Sequence, residues 1–158
     1  MSLVRLIYAS RATKPMSMGD MVAMLDAASE HNRVRGLTGI LAFDQETFLQ
    51  ILEGSSQEVN SLYHRIARDP RHQRLTLLGY GELIEREFAD WGMANIDVSG
   101  QDASARKATL LKYRELGRFD PFSMSGESAL RLLSAWRHQL LPASVPAIQE
   151  CRVTATSA

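Results

Sequence analysis

The sequence predicts an α+β protein in which helices cover one sheet, and three observations predict this class. Short runs of alternating apolar residues are typical of strands, and apolar residues spaced three and four apart are typical of helices. Two stretches carry serine three residues ahead of an acidic residue, which marks a helix start. The segments follow the order strand, helix, strand, strand, helix, strand and short strand, which is a split β-α-β arrangement.

The first strand covers residues 2–10, and alternation places four of its side chains on one face: Val4, Leu6, Tyr8 and Ser10. A helix then begins at residues 17–20, Ser-Met-Gly-Asp, where Asp takes the place of the usual Glu of a capping box. Spacing of three and four gives this helix one inward stripe: Met21, Met24, Leu25, Ala28 and Asn32.

The second and third strands, residues 37–43 and 46–54, form a predicted hairpin around a short turn. Alternation in the third strand sets Gln50 between Phe48 and Leu52 on one face. A buried amide that lacks partners costs about 1–3 kcal/mol. The position of Gln50 therefore predicts that its amide has specific hydrogen-bonding partners.

The second helix begins at the capping box Ser55-Ser56-Gln57-Glu58 and ends before Pro70. Four of its residues point inward at helical spacing: Val59, Leu62, Tyr63 and Ile66. A fourth strand is predicted at residues 75–85 and a short fifth strand at residues 93–98. Together the segments predict a ferredoxin-like βαββαβ(β) sandwich with both helices on one face of the sheet.

Two further amphipathic helices are predicted at residues 104–116 and 125–141. Their apolar stripes need a surface to cover: Ala108, Leu111 and Tyr113 in one helix, and Leu130, Leu133, Trp136 and Leu140 in the other. The second face of the sheet is the candidate, since it presents four apolar side chains: Leu3, Ile7, Leu49 and Ile51. The chain thus divides into a sandwich (1–98), a helical cap (99–142) and a tail (143–158) that lacks periodicity and is a candidate for disorder.

Composition is that of a globular protein of the cytoplasm. Eighteen basic side chains balance eighteen acidic ones, so no overall field favours nucleic acid or an anionic membrane. The single cysteine, Cys151, allows no internal disulfide, and the four histidines are too scattered to predict a metal site. We expect no signal peptide, and no apolar run approaches the roughly 20 residues that span a bilayer.

Three polar side chains converge in the predicted fold, because the first and third strands are expected to be central neighbours. Tyr8, Gln50 and Asn32 all point between the sheet and the helices. One interpretation is a core pair in which Tyr8 and Gln50 satisfy each other. The other is a ligand site, since a phenol and two amides supply donors and acceptors for the polar edge of an aromatic heterocycle. The Met-rich first helix suits such a flat, polarisable ligand.

A second polar cluster ends the second helix, in the stretch RIARDPRHQR. Its basic members are Arg65, Arg68, Arg71 and His72. As a solvated helix end, this cluster interacts favourably with the helix dipole. As a binding surface, its guanidinium groups can hold a diphosphate at the mouth of a pocket. The sequence contains neither a P-loop nor a GxGxxG motif.

The motifs as a set resemble the BLUF domains, which are sensors of blue light using FAD. The matching pieces are LIYAS at 6–10, NRVRGLTGIL at 32–41, FLQILEG at 48–54, DPRH at 69–72 and FADWGMA at 88–94. The resemblance runs from residue 3 to about residue 98 and continues more weakly into the C-terminal helices. Each motif alone is unspecific, and their combination carries the resemblance.

The resemblance implies noncovalent FAD between the two helices, with FMN or riboflavin as substitutes. Asn32 would bond the C2/C4 carbonyl region of the flavin, and Gln50 the N5/C4=O edge. Tyr8 would bond Gln50 and supply an electron and a proton, while Trp91 and Met93 match residues that relay the change at Gln50. The other implied contacts are with the ring, ribityl chain and phosphates: Ser10, Met24, Leu25, His31, Arg65, Ile66, Asp69, Arg71 and His72.

The resemblance implies a photosensor that is not itself an enzyme. Its signal is expected to reach an effector by protein contact, such as a cyclic-nucleotide signalling enzyme or a transcription regulator, and apolar stripes favour a homo-oligomer. Two other classes stay open at this point. One is an acyl phosphatase or flavin oxidoreductase on the same fold, although a phosphatase leaves Tyr8 and Gln50 unexplained. The other is a light-independent ligand-binding regulatory domain.

Overall fold

The backbone follows the predicted order of strands and helices. A computed structural model describes residues 2–90, 92–99, 109, 110, 112 and 119–140. The elements are β1 (Leu3–Ala12), α1 (Met18–Val34), β2 (Thr38–Phe43), β3 (Thr47–Ser55), α2 (Ser56–Arg68), β4 (His72–Glu82), β5 (Ala94–Asp97) and α3 (Gly126–Leu140). A short 3-10 turn, Pro121–Ser123, precedes α3. The predicted α+β class is confirmed.

The five strands form one mixed sheet in the order β4-β1-β3-β2-β5. β1 pairs antiparallel with both β3 and β4, β2 pairs antiparallel with β3, and β5 pairs with β2 in parallel. In the register of β1 and β3, Tyr8 lies directly opposite Gln50. The predicted adjacency of the first and third strands is therefore confirmed, and it brings the phenol and the amide together.

Local sequence signals set the helix ends. Ser17 Oγ accepts a hydrogen bond from the amide of Asp20 at 3.2 Å, and Ser55 caps α2 in the same way. α1 ends where Gly36 adopts a positive φ of 66°, which lets the next amide bond the carbonyl of Asn32 at 2.9 Å. This end keeps Asn32 in the last turn of α1, where it is buried.

Both faces of the sheet are covered, and β3 contributes to each in alternation. Phe48 and Leu52 pack with α1 and α2, whereas Leu49 and Ile51 pack on the opposite face. There α3 contributes four buried residues: Ala129, Leu132, Leu133 and Trp136. The predicted capping of the second face is thus confirmed for α3. Leu3, which was expected on that face, is only half-buried and lies outside the cluster.

Several boundaries differ from the prediction because strand pairing, rather than local sequence, sets them. β1 continues to Ala12, whose amide bonds the carbonyl of Glu46 at 2.7 Å. β4 accordingly starts at His72, opposite Ala12, instead of at residue 75. β5 is confined to the four residues that pair with β2.

Part of the predicted C-terminal region lies outside the described residues. This applies to Ala108, Leu111 and Tyr113 of the first predicted helix, to the side chain of Leu140 and to the tail at 143–158. Leu110, which the predicted stripe omitted, is described and buried in the second core. Among the described helices, none has the length and apolar character needed to cross a membrane.

Candidate functional site

A cavity of about 370 Å³ opens between α1, α2 and the sheet. This volume is within the range of small-molecule sites. It is lined by all the predicted site residues that the structure describes, with the exception of Ser10: Tyr8, Met24, Leu25, His31, Asn32, Gln50, Arg65, Ile66, Asp69, Arg71, His72 and Met93. Residues that are far apart in sequence therefore share one cavity wall.

Gln50 is the middle of a hydrogen-bonded chain in the wall of this cavity. The hydroxyl of Tyr8 donates to Gln50 Oε1, and Gln50 Nε2 donates to Sδ of Met93 at 3.3 Å. All three residues are buried, and burial is the main cause that raises the pKa of the Tyr8 phenol well above its usual value. The phenol is therefore held protonated and able to donate. Gln50 has the partners that its position predicted.

Asn32 presents a second amide to the cavity from the end of α1. Its Nδ2 donates to the carbonyl oxygen of Gly92 at 3.2 Å, and the residue is only 2% exposed. Its Oδ1 has no hydrogen bond within the described residues. Asn32 lines the cavity, so this amide oxygen is suited to accept from an N–H of a bound molecule.

The mouth of the cavity carries two pairs of charged or titratable side chains. Nη1 of Arg65 donates to Nε2 of His31 at 2.7 Å. Desolvation, followed by the positive charges of Arg65 and Arg35, lowers the pKa of His31. Arg71 instead forms a fork on Asp69, with its shortest contact at 2.6 Å, and this hydrogen bonding lowers the pKa of the Asp69 carboxyl. Within the described residues, Arg65 therefore has no ion pair with a carboxylate, whereas Arg71 is paired with Asp69.

His72 lies between the mouth and the inner wall. Its Nδ1 is 2.8 Å from Ser10 Oγ, and its ring centroid is 5.1 Å from that of Phe48. Burial is the main cause that lowers the pKa of His72, while the charge of Asp69 opposes it. Ser10 is fully buried and does not line the cavity, so its connection to the site is the hydrogen bond with His72.

The predicted set of site residues omitted several apolar residues that line the cavity, although Ala28, Phe48 and Leu62 were predicted to face inward. The omitted residues are Ala27, Ala28, Leu41, Phe48 and Leu62. Phe48 could have been found from its position on the same face of β3 as Gln50. Leu62 could have been found from the inward stripe of α2. Trp91 lies outside the described residues, and Met93 is the relay candidate that the structure places against Gln50.

Metal chemistry receives no support from the part of the chain that the structure describes. It contains no group of three or more His, Cys, Asp or Glu side chains arranged to hold a metal ion. The cavity instead combines apolar walls with a phenol, two amides and a cationic mouth. That chemistry suits a flat heterocycle with an anionic tail.

A family model described as "Sensors of blue-light using FAD" matches residues 3–94. Among curated relatives, the photoactivated adenylate cyclase subunit beta of Euglena gracilis is 33% identical over 112 residues, or 70% of this chain. The blue light- and temperature-regulated antirepressor BluF of Escherichia coli (strain K12) is 32% identical over 96 residues, or 61% of this chain. The chain spans only 13% and 24%, respectively, of these two relatives.

Solved structures show the same likeness. The photo-activated state of BlsA has a TM-score of 0.74 and 25% identity, covering 84% of this chain and 93% of that one. The dark state of BlrB, a BLUF protein, has a TM-score of 0.68 and 29% identity, covering 85% and 97%. The family match extends over more than half of the chain and includes both residues of the Tyr8–Gln50 pair. The chain therefore belongs to the BLUF family of flavin-binding blue-light sensors.

Proposed function

We propose that this protein is a blue-light photoreceptor that binds FAD noncovalently between α1 and α2, and that a rearrangement at Tyr8 and Gln50 is passed to a partner protein. One observation carries the proposal. The hydrogen-bonded chain of Tyr8, Gln50 and Met93 lies in the wall of an open cavity instead of in a filled core. A purely structural pair would not need that cavity.

The residues of the cavity fit a flavin. Its walls are mostly apolar, its volume is about 370 Å³, and Asn32 Oδ1 is an acceptor that lacks a partner within the described residues. When bound, the flavin would supply the absorption of blue light and an excited state that accepts an electron. Arg65 would hold its phosphates at the mouth, because its guanidinium group is not paired with any carboxylate in the described part of the chain.

The chemistry of the protein's own residues is centred on Gln50. Tyr8 holds a proton next to Gln50 Oε1, so electron loss from the phenol would leave this amide as the nearest acceptor of the proton. Because each hydrogen bond contributes about 0.5–1.5 kcal/mol, two arrangements of the amide differ little in free energy. A small bias can then select one of them. Met93 would report the change, since β5 begins at the next residue.

The output is proposed to be a protein–protein contact. Relatives of this family include adenylate cyclase subunits and an antirepressor. By analogy, the partner would be a cyclic-nucleotide signalling enzyme or a transcription regulator, and Trp91 would act with Met93 in the relay. The proposal also includes a homo-oligomer in the cytoplasm and FAD as the cofactor, with FMN or riboflavin as substitutes. It assigns the chain a photosensory role and no enzymatic activity.

Absorption spectroscopy of matched variants tests the proposal. The purified chain should carry flavin, and blue light should shift its band to longer wavelength, with recovery in the dark. Tyr8→Phe should retain flavin and lose the shift, because the hydroxyl that donates to Gln50 is gone. Gln50→Ala should also retain flavin and fail to switch. A normal photocycle in either variant, or a chain that cannot be reconstituted with flavin, contradicts the proposal.

A further inference from the structure

Two arginines converge on one aromatic ring outside the flavin cavity. Cζ of Arg74 lies 4.2 Å from the centroid of Phe122, and Cζ of Arg11 lies 5.9 Å from the same centroid. Both arginines are exposed, and Phe122 is half-buried in the turn before α3. These three residues are called the arginine clamp below. None of them lines the cavity.

The backbone around Arg11 and Arg74 departs from regular strand geometry. The register of β1 and β4 shifts between Ala9 and Arg11, with Arg11 opposite Gln73. Arg74 then adopts a φ of 53°, the only positive φ of a non-glycine residue in the described chain. A residue other than glycine in this left-handed region of backbone conformation raises the free energy of the folded state by on the order of 1 kcal/mol. The strand therefore departs from regular geometry at the residue whose guanidinium reaches Phe122.

The charges of the clamp are not compensated within the described residues. Most other arginines there face a carboxylate: Arg5, Arg33, Arg35, Arg71, Arg131 and Arg137. Arg11 and Arg74 contact the Phe122 ring, and neither side chain has a hydrogen bond or ion pair with another residue that the structure describes. Two like charges on one ring repel each other, and a carboxylate placed between them would remove that repulsion.

We infer that the arginine clamp is a docking site for an acidic segment of a partner protein. Guanidinium groups bind carboxylates through paired hydrogen bonds, and the adjacent ring adds a surface for the apolar part of the segment. Nucleic acid is the less suitable partner, because the chain's net charge of zero provides no extended positive field. The inference names the chemistry of a partner that the proposed function leaves open, and such docking needs neither flavin nor light.

A binding titration in the dark tests the clamp on the full chain. The probe is a fluorescent peptide of alternating glutamate and glycine, and its anisotropy is followed at low and at physiological salt. The unchanged chain should bind it, and Arg74→Gln should weaken binding about tenfold through loss of one charge-assisted contact. Arg11→Gln should act in the same direction. Arg74→Lys should retain part of the affinity, because it keeps the charge and loses the fork.

Arg68→Gln is the matched control, since Arg68 is an exposed arginine of α2 without a partner in the described chain. This variant should bind the peptide as the unchanged chain does. The inference is overturned by absence of binding at low salt, or by equal losses in Arg68→Gln and Arg74→Gln. Tighter binding of a single-stranded DNA of matched charge would also overturn it. The flavin spectrum, recorded for every variant, separates these results from failure of the photoreceptor proposal.

Discussion

Glu53 brings a negative charge into the interior of the protein. The residue is fully buried, and its carboxylate accepts from Nε of Arg5 at 2.9 Å and from the amides of Glu87 and Phe88 at 3.0 Å. Arg5 also reaches Glu87 at 3.2 Å, and Ser134 of α3 donates to Glu87. This network joins β1 and β3 to α3: the side chains of Arg5 and Glu87 connect Glu53, on the strand of Gln50, to Ser134 of the C-terminal helix.

Loss of the Glu53 charge should destabilise the fold. Glu53→Gln should lower the free energy of unfolding by about 3 kcal/mol, because the partly buried Arg5 loses its fully buried charged partner. Urea denaturation measures this change. Glu30→Gln is the control: it breaks an exposed pair with Arg33 and should leave the urea midpoint unchanged. Similar midpoints in both variants would contradict the role assigned to Glu53.

His72 should make stability depend on pH. Its pKa lies below the ordinary value of 6.5, mainly because of burial. Between the lowered pKa and 6.5, the unfolded chain binds a proton that the folded chain does not, so the free energy of unfolding rises with pH. This contribution is fully present above pH 6.5 and is lost as the pH falls. In urea denaturation below pH 6.5, His72→Gln should show a weaker pH dependence than the unchanged chain; an identical dependence would exclude His72.

At the scale of elements, the pairing of β2 with β3 leaves no room for a side chain at Gly39. A Cβ built there would lie 2.0 Å from the carbonyl oxygen of Ile51, which is backbone and cannot rotate away. Gly39→Ala should therefore cost about 3 kcal/mol or more, measured by thermal unfolding. Gly81→Ala serves as the control, because nothing lies within 4 Å of the corresponding Cβ. Equal stabilities of the two variants would contradict this prediction, because β2 and β3 could then accommodate the added methyl group without a loss of free energy of unfolding.

The sequence was informative about elements where the signal is local. The serine caps predicted the starts of α1 and α2, and alternation around Gln50 assigned both faces of β3 correctly. Features that depend on residues far away in the sequence were not predicted. The start of β4 follows from its pairing with β1, and the positive φ of Arg74 follows from a register shift. The burial of Glu53 needed Arg5 and the segment after β4, which no periodicity reveals.

In the candidate site, too, some features could be predicted from local sequence and others could not. The resemblance to the family predicted most of the residues that line the cavity, and it omitted five apolar ones: Ala27, Ala28, Leu41, Phe48 and Leu62. The pairing of Arg71 with Asp69, and of Arg65 with His31, was not predicted, since it depends on the relative positions of α1, α2 and the loop before β4. Ser10 was expected at the ligand, whereas the structure shows it bonded to His72.

At the scale of the whole molecule, the sheet separates two cores. The cavity lies on the face of α1 and α2, and Trp136 of α3 is buried on the other face. Stability of the second core and occupancy of the cavity should therefore respond separately to substitution. This arrangement lets α3 change its packing without a direct contact with the bound ligand.

Truncation of Trp136 tests that separation. Trp136→Ala should lower the free energy of unfolding by about 3–5 kcal/mol, because it leaves a large void in the second core. The folded fraction should still show the flavin band, which absorption during urea denaturation measures. Arg131→Ala, on the exposed side of α3, should change neither property. Loss of flavin from folded Trp136→Ala would mean that the cores are not independent.

The contact between Gln50 and Met93 has a further consequence. A thioether sulfur has lone pairs and no hydrogen, so it tolerates the NH₂ end of the amide and repels the carbonyl end. If the amide turned over, oxygen would face sulfur, and the methionine would have to withdraw. Met93 would then respond to which end of the Gln50 amide faces it, and it lies immediately ahead of β5, the parallel edge strand of the sheet.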